Sequence, residues 1–126
     1  MPSANASVSE SILNSIKKII GISADYTEFD VDIIFAINTA FFTLWQLGVG
    51  NDTSQPFKIE DSEDIWEDFI DSGEIEMCKS YIALRVRMLF DPPSNSFLAD
   101  AINGQIKEYE VRMTYAVDEL NDYYAE

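Results

Sequence analysis

The sequence contains no histidine and a single cysteine, Cys78, among its 126 residues. One cysteine cannot form an intramolecular disulfide, and without histidine it cannot complete a zinc site of the usual kind. The absence of histidine also excludes catalysis that depends on an imidazole base. The sequence therefore excludes histidine-dependent catalysis and a zinc site, and we single out no catalytic residue, no metal ligand and no cofactor.

Basic residues are scarce as well: 8 lysines and arginines stand against 23 aspartates and glutamates, for a formal charge of −15. This charge argues against binding to DNA, RNA or an anionic membrane surface. The chain is not a disordered acidic tail, since 47% of its residues are apolar and 13% aromatic. We expect one folded domain over residues 1–126, with 1–8 flexible and 122–126 frayed or docked on a partner.

A long apolar run occurs once, over residues 31–49, and it is interrupted by polar side chains such as Asp32, Asn38 and Gln46. Each of these is costly in hydrocarbon, so the run is interpreted as a buried helix of a soluble protein. Residues 1–11 lack the basic and apolar regions of a secretion signal, and synthesis in the cytoplasm is expected.

The spacing of the apolar residues predicts an all-α fold: a small bundle of four main helices and one short acidic helix, with a long C-terminal helix. The predicted helices cover approximately residues 9–20, 30–47, 63–70, 76–90 and 94–123. Ser7 and Glu10 have the spacing of a capping box for the first helix, and Gly21 stands where its C-terminal glycine belongs. Asp30 is a possible N-cap of the second helix.

The second predicted helix is apolar on two sides. Its broad side consists of Ile33, Ile34, Ile37, Phe41, Leu44 and Trp45. Phe35 and Phe42 lie nearly opposite, so this helix needs cover on both sides, as in a subunit that packs against its neighbours. The last helix spans about 40 Å, long enough for its final turns to reach the edge of the domain. Candidate interface residues are therefore Phe35, Phe42, Tyr115, Tyr123 and Tyr124.

Arg85 is a further candidate, because it falls among apolar residues of the fourth helix, whereas Arg87 falls on the polar side. A charged group in such a position must pair with an opposite charge or extend to the surface. An internal ion pair and a contact with another subunit are both compatible with the pattern. Cys78, on the same side, and Trp45 and Trp66 are interpreted as core residues.

The densest negative charge lies between Lys58 and Lys79, where no other lysine or arginine occurs. A calcium loop beginning at Asp61 would need glycine at its sixth position, where Trp66 stands. Three interpretations of this segment remain open: a pair of catalytic carboxylates, a mimic of nucleic-acid phosphates, and a solvated surface. The solvated surface includes the case of a channel wall that faces DNA without binding it. The candidate solvated or channel-facing residues are Glu60, Asp61, Glu63, Asp64, Glu67, Asp68 and Asp71.

The order of the segments resembles that of the head–tail connector (adaptor, or head-completion) proteins of long-tailed bacteriophages. The resemblance covers approximately residues 9–120. The segments that carry it are IIGI at 19–22, FDVDII at 29–34, INTA at 37–40, QLGVG at 46–50, KSYIALRVR at 79–87 and FDPP at 90–93. These are patterns of a family and not catalytic fingerprints.

The resemblance implies a structural virion protein, made in the host cytoplasm, with no enzymatic activity. Copies would form a ring under the portal protein, twelve-fold by family resemblance, and extend the DNA channel to the next connector, stopper or tail-completion protein. DNA would pass through without specific binding, and no membrane would be involved. The alternative is an acidic DNA mimic that inhibits a DNA-binding enzyme; against it, nine of the 23 acidic residues lie within residues 60–76.

Overall fold

The structure, a computed structural model, describes residues 10–71 and 73–123, with side chains described up to residue 119. Within that part the chain forms helices and no strand, which confirms the all-α prediction. The helices are α1 (Ile12–Ile19), α2 (Asp30–Gln46), α3 (Trp66–Phe69), α4 (Ile75–Phe90) and α5 (Ser96–Tyr123). The expectations for residues 1–8 and for the side chains of residues 122–126 lie outside the described residues.

The ends of α1 are fixed by one side chain and one glycine. The Ser11 hydroxyl accepts a hydrogen bond from the Asn14 N–H at 3.1 Å, so Ser11 is the N-cap. The predicted capping box relied on Ser7, which lies outside the described residues. At the other end the Ile22 N–H donates to the Lys17 carbonyl at 2.7 Å, across Gly21 with φ +89°. Gly21 is therefore the predicted C-terminal glycine of this helix.

The N-terminus of α2 differs from the prediction. Phe29 occupies the N-cap position without a side-chain cap, and Asp30 is the first helical residue. The Asp30 carboxylate instead accepts a hydrogen bond from the Lys17 ammonium at 2.7 Å. The Lys17 ammonium is fully buried and needs an ionised acceptor, and Asp30 supplies it from the first turn of the helix instead of capping it.

The core is built around α4, which packs most extensively on α2 and next on α5. Because α4 lies between them, α2 and α5 each bury one side against it and leave the other side outward. The main buried side chains of the three helices are Ile33, Ile37, Phe41, Leu44, Tyr81, Ile82, Val86, Ile102, Ile106 and Met113. They form one hydrophobic cluster together with α1.

The acidic segment between α2 and α4 is attached to the start of α1. The Ile12 N–H donates to the Asp64 carbonyl at 2.9 Å, and the Trp66 indole donates to the Ser15 hydroxyl at 2.8 Å. Helix α3 is shorter than predicted, since the Asp61 and Asp64 side chains bond backbone N–H groups in the turn before it. In the described residues, no helix is long and apolar enough to cross a membrane.

Candidate assembly surfaces

The outward side of α2 carries three large apolar residues. Val31 is 80% exposed, Phe35 73% and Phe42 47%. At 100° per residue they lie within about 40° of one another, on the opposite side from the buried Ile33 and Ala40. We call Val31, Phe35 and Phe42 the α2 face. The second side of the helix, predicted to need cover, is thus exposed at these three residues; between them Asn38, on the same side, bonds the Ile59 backbone. The use of this side as an interface stays a prediction.

One charge of each sign lies beside the α2 face. The exposed Asp32 follows Val31 in the chain. Farther along the helix, the Asn38 amide donates to the Ile59 carbonyl at 3.0 Å and accepts from the Ile59 N–H at 2.8 Å. This two-way bond places the neighbouring, exposed Lys58 next to the middle of the face.

A groove of about 550 Å³ lies between the end of α2 and the C-terminal half of α5. Its apolar wall consists of Leu47, Val111 and Tyr115, the last of which is 71% exposed. The charged and polar residues that line it are Lys107, Glu110, Thr114, Asp118 and Glu119. We call this the α5 groove. It contains one of the predicted interface residues, Tyr115.

Arg85 lies in a polar network that joins three helices below the α5 groove. Its guanidinium donates to the Tyr81 hydroxyl at 2.8 Å and to the Thr43 hydroxyl at 3.2 Å. The Tyr81 hydroxyl donates to the Glu110 carboxylate at 2.7 Å, and Arg85 lies 3.8 Å from the same carboxylate. Arg85 therefore has an internal acidic partner, Glu110, which is one of the two possibilities that the sequence left open for it. A contact of Arg85 with another subunit stays a prediction.

Burial determines the protonation of this network. Desolvation raises the pKa of Tyr81 to about 12, and the hydrogen bond to Glu110 acts in the same direction. The shift extends to higher pH the range over which the phenol stays protonated and donates to the carboxylate. The network can hold α5 against α4.

The acidic segment is mostly exposed. Asp64 is half-buried, and its carboxylate accepts hydrogen bonds from the Glu60 and Asp61 N–H groups at 2.7 and 3.3 Å. Glu67 is half-buried as well, with one carboxylate oxygen that finds no partner among the described residues. The others are exposed: Glu60, Asp61, Glu63, Asp68 and Asp71. No group of three or more potential ligands in the described part is placed to hold a metal ion.

Sequence reasoning missed Lys17, whose side chain is fully buried. Its ammonium donates to the carbonyls of Ala24 and Tyr26 at 3.2 and 2.7 Å and to Asp30 at 2.7 Å. The signal was weak, because Lys17 lies about 40° from Leu13 at the edge of the apolar side of α1, whereas Arg85 lies within the apolar side of α4. It fastens the loop between α1 and α2.

Cys78 and Trp66 are buried, as predicted for core residues. Trp45 is only half-buried: its indole N–H donates to the Thr53 carbonyl at 3.0 Å, and its ring lies 5.5 Å from that of Phe42. The prediction of Trp45 as a core anchor is wrong in this respect, because the end of α2 is open to solvent beside it. Trp45 extends the α2 face instead.

A helical subunit that exposes apolar residues on two separate helices has the character of an assembly protein. A family model described as phage connector protein matches residues 12–120. The chain belongs to this family of phage connector proteins. Comparison with curated proteins and with solved structures gives no match.

Family membership assigns the chain a structural role at the connection between phage head and tail. It implies a place in the virion and contact with portal, capsid or tail components. Proteins of this family are typically not enzymes.

Proposed function

We propose that the chain assembles as a ring under the portal protein, extends the DNA channel and joins the capsid to the next connector or tail component. The observation that carries this is the pair of different apolar surfaces, the α2 face and the α5 groove, on one connector-family subunit. Two different surfaces allow two different contacts, one with a neighbouring copy and one with another component. A heterologous contact between copies closes into a ring when the rotation allows it.

The acidic segment is the candidate channel wall. Its exposed carboxylates, which include Glu60, Asp61 and Asp68, have no lysine or arginine between Lys58 and Lys79 to attract phosphate. A ring would repeat this charge around the channel, and DNA would be repelled from the wall and slide past it. Neutralising Glu60, Asp61 and Asp68 should then increase retention of DNA by the assembled ring.

The C-terminal tyrosines are the candidates for docking on the portal or the next component. Tyr115 lies exposed in the α5 groove. Tyr123 ends α5, and Tyr124 follows it, outside the described residues. Aromatic side chains with a polar tip are common anchors at protein interfaces.

The test is to measure the mass of the protein by size-exclusion chromatography with light scattering, alone and after mixing with its cognate portal protein. The proposal expects a complex that contains several copies per portal ring. No complex at any protein concentration or salt concentration would contradict it. Salt-sensitive binding to a basic DNA-binding protein, without portal binding, would favour the DNA-mimic alternative.

A further inference from the structure

The α5 groove has the form of a site for a helix. The residues of α5 that line it recur at intervals of three and four positions from Lys107 to Glu119, and they span about 18 Å along the helix. Leu47, at the end of α2, closes the other side. Side chains with this spacing form one face of a helix, and such a face is what a second helix packs against. An amphipathic helix is therefore the occupant that the shape of the groove favours.

The centre of the groove is apolar and has no cover within the subunit. Val111 is 58% exposed and Tyr115 71%, and the two lie one helical turn apart beside Leu47. The volume of about 550 Å³ lies in the range of sites that bury most of the surface of a ligand. The occupying helix therefore presents apolar side chains at its centre.

The charges open to a partner lie at the two ends of the groove. Glu110 is engaged inside the subunit, because its carboxylate accepts the Tyr81 hydroxyl. Lys107 is left at one end, and Asp118 and Glu119 lie about 16–18 Å away at the other. The aligned peptide dipoles favour a cation near the C-terminus of a helix, and α5 has no basic residue in its last turn. The acidic end of the groove therefore favours lysine or arginine from the occupant.

A second copy of this chain does not offer such a helix. Four of its eight basic side chains form ion pairs within the subunit: Lys17, Lys79, Arg85 and Arg112. A fifth, Lys107, lines the groove itself. The remaining three lie on α1, in the loop after α2 and on α4: Lys18, Lys58 and Arg87. Because these three lie on different elements, no helix of the described part presents two of them to a neighbour.

We propose that the α5 groove binds an amphipathic helix of another component of the head–tail connection. The apolar side chains of that helix lie against Leu47, Val111 and Tyr115. Its lysine or arginine side chains lie beside Asp118 and Glu119. This rests on the proposed joining of the capsid to another component, and it adds the chemistry of the segment that is bound.

The first arm of the test uses the full-length protein and an array of overlapping 18-residue peptides, about 27 Å long when helical. The array covers the cognate portal protein, the other connector and tail-completion proteins of the phage, and this chain itself. We expect the bound peptides to be those with apolar residues on one helical side and at least two basic residues at one end. Fluorescence anisotropy then measures the dissociation constant of each bound peptide.

The second arm places the peptide in the groove. Tyr115→Ala should weaken binding at least tenfold. Phe97→Ala is the matched control, because Phe97 is 83% exposed on the same helix and does not line the groove. Circular dichroism checks that each variant is folded.

The charge of the groove is tested separately. The double variant Asp118→Asn, Glu119→Gln should weaken binding about tenfold and reduce its dependence on salt. Asp25→Asn with Glu28→Gln makes the same change in charge at two exposed positions between α1 and α2, and it should change binding by less than about twofold. Equal weakening by the two double variants would mean that the charge of −15 attracts basic peptides without a site.

The outcomes separate the groove from the ring. Basic amphipathic peptides that lose affinity in the groove variants and keep it in both controls support the proposal. No bound peptide, bound peptides that come from this chain alone, or equal losses in groove and control variants would overturn it. Light scattering of the wild-type protein with the portal reports on the ring independently, so either the groove or the ring can fail while the other stands.

Discussion

Two cations hold the chain together at the scale of single residues. Lys17 is fully buried with three hydrogen-bond acceptors, and Arg85 is 22% exposed with two hydroxyl acceptors and a nearby carboxylate. A buried ammonium group is tolerated only when its donors are satisfied. Each cation joins segments that are distant in sequence: Lys17 joins α1 to the start of α2, and Arg85 joins α2, α4 and α5.

Replacing Lys17 by methionine should lower the free energy of unfolding by about 3 kcal/mol. The change leaves the Asp30 carboxylate and the Ala24 and Tyr26 carbonyls without their donor. Urea unfolding followed by circular dichroism measures the difference. Lys18→Met is the control, because Lys18 is exposed; it should change stability by less than about 0.5 kcal/mol. Equal effects of the two substitutions would contradict the assigned role.

The buried thiol predicts how stability depends on pH. Burial raises the pKa of Cys78 to about 12 from 9.0, so the folded state holds this proton at a pH where the unfolded chain has lost it. The contribution is fully present below pH 9.0 and is lost as pH rises toward about 12. Tyr81, raised to about 12 from 10.0, adds a loss of the same sign above pH 10.0.

Cys78→Ala should therefore flatten the decline of unfolding free energy between pH 9 and pH 10, by up to about 1.4 kcal/mol per pH unit. Urea unfolding at pH 8, 9 and 10 measures the slope for both proteins. The comparison uses slopes because the smaller side chain also lowers stability at every pH. An unchanged slope would mean that Cys78 does not titrate differently in the folded state.

Helix α5 is attached to the rest of the bundle by two kinds of contact. It buries Ile102, Ile106 and Met113 against the core and is joined to α4 by the network of Tyr81, Arg85 and Glu110. Its outward side is free for a partner. The hold of α5 on the bundle therefore depends on a short apolar row and one polar network.

Tyr81→Phe should weaken this attachment by about 2 kcal/mol, because it removes a hydrogen bond to a charged carboxylate and one from the guanidinium. Hydrogen exchange should accelerate in α5 more than in α2. Tyr115→Phe removes the same hydroxyl from an exposed side chain, and we expect less than about 0.5 kcal/mol from it. Equal protection of α5 in the two variants would rule out the network as its anchor.

Two glycines should respond to alanine with opposite signs. Gly104 lies inside α5 with open space where a Cβ would be, so Gly104→Ala should stabilise the subunit by up to about 1 kcal/mol. Gly21 also has open space but sits at φ +89°, so Gly21→Ala should cost about 1–2 kcal/mol. Thermal unfolding of the two variants measures both; a loss at Gly104 would show that its freedom is needed within the subunit.

The sequence was sufficient for the helices because their apolar periodicity is a local property. The sequence signals for turns and helix ends locate Gly21 at the end of α1. They place the start of α4 within one residue of its position in the structure. Asp30 was assigned to the wrong role because its partner, Lys17, lies 13 residues away, and capping rules consider only near neighbours. The α5 groove could not be predicted, since it depends on how α5 lies against Leu47 after folding.

At the scale of the whole molecule, the densest acidic segment lies apart from the apolar residues of the α5 groove, although single acidic residues also line that groove. The carboxylates of the acidic segment lie between α2 and α4, whereas the α2 face and the α5 groove lie on the outward sides of their helices. In the proposed ring, the apolar surfaces would meet other subunits and the acidic segment would face DNA or solvent. The absence of histidine and the presence of a single cysteine are compatible with a protein whose function is assembly.

The most direct measurement of this account is electron microscopy of the protein bound to its cognate portal. We predict a closed ring of identical subunits, coaxial with the portal, with the acidic segment toward the channel. A complex in which single subunits bind the portal without touching one another, or no complex at all, would contradict the account.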